Sequence, residues 1–554
     1  MDATTDSARS CSDLVGALAD AGVTHAFVSP GSRNTPLTLA VAAEPRITDL
    51  SIRDERSAGF IALGLAKATG TPAVVICTSG SAATHYYPAV VEADQSATPL
   101  IILSADRPVQ LRGTGAPQTL DQTDLYGTHV KTFVDLDATF DGSEAGTHLF
   151  SDATTGVAGP VHANFPFDEP LLPSKPVGPS ESRTSFEPTR DTAPALPSLD
   201  GFDKILFVAS GRQSEKFAAE LERVTSLLRS PAVVDAQVTA GGTTIVDSAD
   251  LIAGSGYLDR LTPDVVVRLG PLPTSKALWQ WLDALTVPQF LVDNSRLADP
   301  LSSGSATHIV HDPAAVLAST KVTERSNQEY LAMWQAADTV ATAALTTSMT
   351  TLPFPNEPAI ARQVAMSIQP DDILWLASSM PIRDVNSFAP GQSGSRILSN
   401  RGVNGIDGNI SSAVGAALAA PTTLLIGDIA ALHDVSALAE AAALQAPLRI
   451  VVVNNNGGGI FSFLPQATSP VVVNEAYEKH WGTPHGLALV PIASSMGVAS
   501  ANVHSARELD DVLSSRPEGV ELIEIRTDRD ANVSHHAHIR TAVATALSSA
   551  AIGD

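Results

Sequence analysis

Short runs of apolar, often β-branched residues recur along the whole chain, and Ala- and Leu-rich segments separate them. Runs of this kind are typical of strands buried on both faces of a parallel sheet, and the segments between them can form crossover helices. The pattern therefore predicts an α/β fold of doubly wound parallel sheets. The runs are Ala73–Cys77, Leu100–Ser104, Ile205–Ala209, Val265–Leu269, Phe290–Asp293, Ile373–Leu376, Thr422–Ile426 and Leu448–Val453.

Two stretches without hydrophobic periodicity interrupt this pattern. Residues 174–200 are rich in Pro, Ser and Thr, which is typical of a linker. Residues 321–354 predict a helix that runs into a second linker. A chain of 554 residues has room for about three domains. We therefore expect three α/β domains, at residues 1–173, 201–320 and 355–554.

The charge balance limits the classes of partner. The chain carries 34 basic and 59 acidic residues, a net charge of −25, which argues against a broad nucleic-acid or acidic-membrane surface. Cys11 and Cys77 lie too far apart in sequence to indicate a disulfide framework or a thiolate metal site. The first residues do not resemble a signal peptide. Residues 410–426 predict a helix and a strand instead of a membrane span. A cytoplasmic protein is expected.

The strongest local signal is a pair of polar strand ends. Gly427 and Asp428 follow one apolar run, and Asn455 lies in the Asn-rich end of the next. A carboxylate, an amide oxygen and a nearby backbone carbonyl suit Mg²⁺, which shares its ligand shell with phosphates. Gly457 to Gly459 would let the backbone approach a phosphate. The alternative is that Asp428 caps a helix and the Asn/Gly run is an ordinary loop.

Other segments are ambiguous when each is taken alone. Glu55 precedes an Ala- and Leu-rich helix, and it could simply form local ion pairs with Arg53 and Arg56. Arg33 follows a strand and a Pro-Gly turn; it could bind a carboxylate through its planar fork, or belong to a turn and helix cap. Residues 78–93 and 104–122 could be ordinary loops.

Together, these segments resemble the thiamine-diphosphate-dependent decarboxylase and carboligase superfamily over nearly the whole chain. The Gly-Asp and Asn-Asn pattern corresponds to the Mg²⁺ and diphosphate site of that superfamily, and residues 159–171 match the phrase that closes its first domain. The resemblance implies pyrimidine-binding, central and diphosphate-binding domains, in that order. The chain is most similar to the MenD-like branch. The phrases that carry this similarity are SPGSRNTPL, IRDERSAGF, SADRP, SNRGVNGIDG and NNNGGGIFSFLP.

The resemblance implies a reaction and its participants. MenD-like enzymes are transferases of menaquinone biosynthesis that decarboxylate 2-oxoglutarate and add the resulting carbanion to isochorismate. Thiamine diphosphate and Mg²⁺, for which Mn²⁺ can substitute, are the implied cofactors. A homodimer or a dimer of dimers is also implied, because in the superfamily the Glu55 domain of one chain faces the Asp428 domain of another.

The resemblance also implies roles for individual residues. Glu55 would hydrogen-bond the aminopyrimidine of the cofactor, and Gln118 would be a second catalytic residue. Asp428, Asn455 and the carbonyl of Gly457 would bind the metal. Gly427, Ile429 and Ile460 would complete the cofactor site; Ile429 stands where many members of the superfamily have Gly. The substrate space would be lined by Ser32, Arg33, Arg107, Gln118, Lys276, Ser379, Arg383, Arg401, Phe461 and Leu464.

Two positions depart from the MenD-like pattern. His85 stands where Asn is expected; we expect it to pack locally, which places a polar role at that position in doubt. Ala277 follows Lys276, where some members have Arg. The contribution of the central domain to substrate binding is therefore the least constrained of the implied roles.

Three other functions compete with this interpretation. An acetolactate-synthase-like carboligase would use pyruvate, but one carboxylate is too few for so many arginines. A catalytically inactive relative that acts as a regulator would not need Glu55, Asp428 and Asn455 together. A dinucleotide-binding oxidoreductase is disfavoured because no G-x-G-x-x-G motif follows a strand with an acidic residue about 20 positions further on.

Overall fold

The computed structural model describes residues 3–137, 140–181, 192–214, 216–295, 297–301, 306–391 and 396–550. Over these residues, three six-stranded sheets form, and every strand pair in them is parallel. Helices connect the strands, so the predicted class of doubly wound parallel sheets is confirmed.

The first sheet has the strand order β2-β1-β3-β4-β6-β5, the second β12-β11-β10-β7-β8-β9 and the third β14-β13-β15-β16-β18-β17. The strands are β1 His25–Val28, β2 Thr48–Ser51, β3 Ala73–Cys77, β4 Leu100–Asp106, β5 Phe133–Asp135, β6 Pro160–Pro166, β7 Ile205–Ala209, β8 Ala232–Val234, β9 Ile245–Val246, β10 Val265–Leu269, β11 Gln289–Asp293, β12 Thr307–Val310, β13 Ile373–Leu376, β14 Arg396–Leu398, β15 Thr422–Gly427, β16 Leu448–Asn454, β17 Ala499–Asn502 and β18 Glu521–Arg526.

The α-helices vary from single turns to two long helices of 21 residues. They are α1 Ala3–Ala21, α2 Thr35–Ala43, α3 Glu55–Thr69, α4 Ser81–Thr84, α5 Tyr87–Gln95, α6 Gly142–Thr154, α7 Phe217–Leu228, α8 Ala249–Gly254, α9 Lys276–Ala284, α10 Pro313–Ser319, α11 Glu329–Met349, α12 Glu357–Met366, α13 Met380–Phe388, α14 Asn409–Ala417, α15 Asp428–His433, α16 Ala437–Leu444, α17 Pro465–Thr468, α18 Asn474–Tyr477, α19 Leu489–Ser495, α20 Ala506–Leu513 and α21 Arg529–Ser549.

Contacts divide the chain into two compact units. Unit 1 comprises residues 1–191, 400–419 and 433–446, and unit 2 comprises the rest. The domain bounds expected from the sequence stay a prediction. Within the predicted linker 174–200, residues 182–191 lie outside the described residues, and the described parts contain neither helix nor strand.

Unit 1 is built on the first sheet, whose central strands β3 and β4 are buried throughout. Helix α14 belongs to this unit although it lies far along the chain, because it packs closely on α3. A Cβ atom on Gly64 of α3 would lie 1.9 Å from the carbonyl oxygen of Ser412, and one on Gly415 would lie 1.9 Å from that of Ile61. Glycine at these two positions therefore permits the close approach of the helices.

Unit 2 contains the second and third sheets. The long helices α11 and α21 share one hydrophobic core with the second sheet, centred on the buried Trp334 and including Ile539 of α21. The third sheet has a core of its own between β13, β15, β16 and β18 and the helices α12, α13 and α20. Among the described residues of both units, no helix has the length and apolar character needed to cross a membrane.

Candidate active site

The predicted site residues follow the carboxyl ends of parallel strands, which is where α/β sheets bind ligands. In the third sheet, β15 and β16 are neighbours, with Gly427 opposite Val453. Asp428 and Asn455 therefore leave the same edge of the sheet side by side, as the sequence predicts. Strands β13 and β15 are also neighbours although β14 lies between them in sequence, so this edge contains the topological switch point.

Asp428 is held by backbone N–H groups of helix α15 and of the glycine loop after β16. It is 2% exposed, and its Oδ1 accepts a hydrogen bond from its own neighbour, the Ile429 N–H, at 2.8 Å. Its Oδ2 accepts one from the Gly457 N–H, also at 2.8 Å. Asp428 does begin helix α15, so the alternative in which it starts a helix is partly right. Its side chain also joins the end of β15 to the glycine loop after β16.

His485 makes a third contact with this carboxylate, which the sequence did not reveal. The distance from its Nε2 to Asp428 Oδ2 is 3.0 Å. The Leu487 N–H donates to its Nδ1 at 2.9 Å, so Nδ1 is the acceptor and Nε2 carries the hydrogen of the neutral ring. His485 is therefore a hydrogen-bond donor to Asp428.

Asn455 is buried and has one unsatisfied atom. Its Nδ2 donates to Glu357 Oε1 at 3.0 Å, and Thr527 Oγ1 donates to the same oxygen at 2.9 Å. Asn455 Oδ1 is buried and has no hydrogen-bond partner within the part of the chain that the structure describes. Burial and the nearby Asp384 carboxylate both raise the pKa of Glu357.

These ligands suit a divalent cation with a preference for oxygen. A buried carbonyl oxygen without a partner costs about 1–3 kcal/mol, and a cation at Asn455 Oδ1 would remove that cost. Across the described ranges, no group of three His, Cys, Asp or Glu side chains could hold a metal by itself. The site of Asp428, Asn455 and the Gly457 carbonyl therefore fits Mg²⁺, which takes few protein ligands and shares a phosphate.

The loop after β16 is fixed by side-chain amides. Asn454 Nδ2 donates to the buried Glu524 at 2.6 Å, and Asn454 Oδ1 accepts from the Asn456 N–H at 3.0 Å. A 3₁₀ turn, Gly459–Phe463, follows directly. Ile460 and Phe461 in this turn are half-buried, and Leu464 after it is 37% exposed. These three apolar residues follow the glycine loop in the chain, and their place in a cofactor or substrate site stays a prediction.

A second cluster of site residues lies around α13 in unit 2. Ser379, just before this helix, has φ +78°, a conformation that favours glycine and is often found at functional sites. Its carbonyl oxygen accepts a hydrogen bond from the Arg383 guanidinium. Burial lowers the pKa of Arg383. Ser379 and Arg383 are therefore adjacent, and their contact with a substrate stays a prediction.

Lys276 is exposed and is the first residue of α9, while Ala277 beside it is half-buried. The preceding residue, Ser275, donates its hydroxyl to the buried Asp250, which also accepts from Ser387 of α13. Asp250 thus links the start of α9 to the helix that carries Arg383.

In unit 1, the Glu55 carboxylate makes no hydrogen bond or ion pair within the described residues. Its basic neighbours pair elsewhere. Arg53 lies 3.1 Å from Glu440, and Arg56 lies 2.6 Å from Asp54. The local ion pairs that could have explained Glu55 are therefore absent from this part of the chain, and its carboxylate at the start of α3 is available.

Arg33 is 5% exposed, and its fork is occupied in this structure. One guanidinium nitrogen donates to the Phe167 carbonyl and the other to Glu169, both at 3.0 Å. Ser32 beside it is exposed. Arg33 therefore holds the chain segment that follows β6, and its contact with a substrate stays a prediction.

Arg107 and Gln118 lie on the loop after β4. The Arg107 guanidinium makes no hydrogen bond or ion pair with any described residue, and its Nε is buried. Gln118 has φ +54° and donates from Nε2 to the Ser79 carbonyl at 3.1 Å. Buried Gln122, which the sequence did not single out, accepts from the Gly80 N–H at 2.9 Å and thereby anchors this loop.

The remaining positions are Arg401 and His85. Arg401 is half-buried in the loop before α14. His85 ends α4 and is exposed.

Comparisons with known proteins agree with the resemblance. The family model of thiamine pyrophosphate enzymes, N-terminal TPP binding domain, matches residues 11–125, and that of the C-terminal TPP binding domain matches residues 383–525. Thiamine pyrophosphate is another name for thiamine diphosphate.

Similar proteins match over almost their full length. A 2-succinyl-5-enolpyruvyl-6-hydroxy-3-cyclohexene-1-carboxylate synthase of Bacillus pumilus (strain SAFR-032) is 38% identical, with 93% of each chain covered. Synthases of the same name from Myxococcus xanthus (strain DK1622) and Geobacillus kaustophilus (strain HTA426) are 36% and 37% identical. The match covers 96% of this chain and 97% of the former, and 94% of this chain and 95% of the latter.

Proposed function

Because the chain belongs to the family of 2-succinyl-5-enolpyruvyl-6-hydroxy-3-cyclohexene-1-carboxylate synthases, we propose that it performs the reaction after which that family is named. It decarboxylates 2-oxoglutarate and adds the succinyl carbanion to isochorismate, a step of menaquinone biosynthesis. The cofactors are thiamine diphosphate and Mg²⁺, and the enzyme is a cytoplasmic homodimer or dimer of dimers.

The observation that carries this proposal is that Asp428 and Asn455 lie at one edge of the third sheet, where Asn455 Oδ1 has no hydrogen-bond partner among the described residues. That arrangement suits a metal-bound diphosphate, and both TPP binding domain models match the chain. The similarity to the synthases over more than nine-tenths of the chain supports the choice of substrates.

When bound, thiamine diphosphate supplies the nucleophilic carbon and the electron sink for decarboxylation. Asp428, Asn455 and the Gly457 carbonyl would hold the metal, and His485 and the Gly457 N–H keep the Asp428 carboxylate in place. Glu55 would hydrogen-bond the aminopyrimidine of the cofactor and so give acid–base assistance through that ring.

The acidic substrates require local positive charge, because the net charge of −25 repels anions. At physiological ionic strength the Debye length is about 8 Å, so nearby cations dominate. Arg107, whose guanidinium is unengaged by the described residues, is the clearest candidate to bind a carboxylate. We assign the same role to Arg33, Lys276, Arg383 and Arg401, with Ser32, Gln118 and Ser379 as neutral hydrogen-bonding groups.

The proposal is tested with purified protein, thiamine diphosphate, Mg²⁺ and isochorismate, with 2-oxoglutarate or pyruvate as the donor. Loss of isochorismate absorbance is followed, and the product is identified by mass spectrometry. We expect turnover with 2-oxoglutarate and little with pyruvate, because only 2-oxoglutarate has a second carboxylate for the arginines. Asp428→Ala is the inactive control. Equal or better use of pyruvate would favour an acetolactate-synthase-like enzyme instead.

A further inference from the structure

Two oppositely charged side chains are buried together in unit 1. Lys67 of α3 is 3% exposed and Glu92 of α5 is 2% exposed, and Lys67 Nζ lies 2.6 Å from Glu92 Oε1. Such a pair is weak support for stability, because the loss of hydration can exceed the mutual attraction. The pair therefore calls for an explanation beyond fold stability, and its other hydrogen bonds suggest one.

The pair holds the loop of Arg401 through the residues that precede and follow Arg401. Glu92 Oε1 accepts from the Gly402 N–H and Oε2 from the Val403 N–H, both at 2.9 Å. Lys67 Nζ also donates to Asn400 Oδ1 at 3.0 Å. The residues immediately before and after Arg401 are thus fixed to helices α3 and α5.

The loop also packs so closely against α5 that Gly402 leaves no room for a side chain. A Cβ atom on Gly402 would come within 2.9 Å of both the backbone oxygen and Oε2 of Glu92. Any side chain at this position would lift the loop away from the carboxylate. Gly402 is thus a second, independent feature that keeps the loop close to Glu92.

We propose that Lys67 and Glu92 are positioning residues that set the place of Arg401 for a substrate carboxylate. Lys67 also neutralises Glu92, so the carboxylate that holds the loop does not compete with an anionic substrate for the Arg401 guanidinium. The inference rests on the proposed function, because it assigns Arg401 to the binding of 2-oxoglutarate or isochorismate.

The test replaces the pair by apolar residues of similar size, Lys67→Met with Glu92→Leu, because such replacements of buried pairs are often neutral for folding. KM and kcat are measured for both acids, together with thiamine diphosphate affinity by calorimetry and Tm. The control is Arg449→Met with Glu521→Leu, an ion pair at the amino-terminal ends of β16 and β18, opposite to the candidate site.

We expect KM for one of the acids to rise about tenfold or more, which corresponds to the loss of one charge-assisted bond. The affinity for thiamine diphosphate should stay near that of the wild type, and the control pair should leave KM unchanged. Gly402→Ala should raise the same KM although it retains both charges. If the double variant fails to fold, Gly402→Ala still tests the proposal.

A cycle with Arg401→Ala separates positioning from general loosening of the fold. If the pair acts through Arg401, the triple variant should be no worse than Arg401→Ala alone. Additive losses, or an unchanged KM in the folded double variant and in Gly402→Ala, would overturn the inference. If Arg401→Ala is itself without effect, the role of Arg401 fails and so does that of the pair. Wild-type protein without turnover would instead overturn the proposed function, and with it this role.

Discussion

The side-chain amide of Asn455 donates a hydrogen bond to the buried carboxyl group of Glu357, at 3.0 Å. This bond decides which end of the amide remains unused, because the nitrogen is engaged and the oxygen is left without a partner among the described residues. Thr527 donates to the same Glu357 oxygen at 2.9 Å and so helps to fix it. Glu357 thereby leaves the Asn455 oxygen available for the proposed metal.

The first prediction concerns this contact. Glu357→Leu should weaken the Mg²⁺-dependent binding of thiamine diphosphate by about ten- to a hundredfold, as is typical when a partner of a metal ligand is lost. Glu357→Gln should bind nearly as well as the wild type, because its carbonyl oxygen can still accept from Asn455. Calorimetric titration with and without Mg²⁺ measures both. Equal affinities for the Leu and Gln variants would contradict the role.

The second prediction concerns Glu55. Glu55→Gln should lose most turnover while its circular dichroism and Tm stay close to those of the wild type, because the carboxylate makes no hydrogen bond or ion pair with the described residues that the fold would lose. Glu144→Gln is a matched control, since Glu144 is an exposed glutamate in the first turn of α6. Near-normal turnover of Glu55→Gln at saturating cofactor would remove Glu55 from the catalytic residues.

The third prediction concerns the assembly. The family pattern implies that Glu55 of one chain and Asp428 of another serve the same cofactor, so light scattering should give at least the mass of a dimer. Glu55→Gln and Asp428→Ala chains, each inactive alone, should regain about a quarter of wild-type activity when co-expressed, because random pairing gives half heterodimers with one intact site each. A fully active monomer, or a mixture that stays inactive, would exclude this arrangement.

The fourth prediction concerns pH. Asp434 is buried and accepts hydrogen bonds from the N–H and hydroxyl of Ser411 at 2.7 and 3.0 Å. Burial raises its pKa to about 7. An unfolded aspartate titrates near pH 3.9, so the folded chain binds this proton more tightly, and stability is lost as the pH rises from about 4 to about 7.

The side chain at position 434 of the variant Asp434→Asn cannot ionise. The difference in Tm, variant minus wild type, should therefore be larger at about pH 8 than at about pH 5. Differential scanning calorimetry at the two pH values measures this change. Asp141→Asn, at the exposed cap of α6, is the control and should show a much smaller effect of pH. An unchanged Tm difference for Asp434→Asn would mean that Asp434 does not titrate in this range.

The sequence predicts the central strands better than the edge strands. Strands such as β3 and β16 are buried on both faces and must be apolar, so composition alone identifies them. Edge strands such as β2 and β17 are mostly exposed and polar, and nothing in their local sequence requires a strand. They exist because a neighbouring strand offers hydrogen-bonding groups.

By itself, the sequence determined the parallel α/β class and the family, and it placed Asp428 and Asn455 at neighbouring strand ends. Local chemistry suffices there, because apolar runs specify buried strands and the polar residues directly follow them. Only the tertiary structure decided that Glu357 orients Asn455, that Glu169 occupies Arg33 and that Glu92 holds the loop of Arg401. These partners lie far apart in the chain, and no local sequence pattern shows that they are close in space. They meet only when helices and strands pack, and the buried donors and acceptors among them then need these hydrogen bonds.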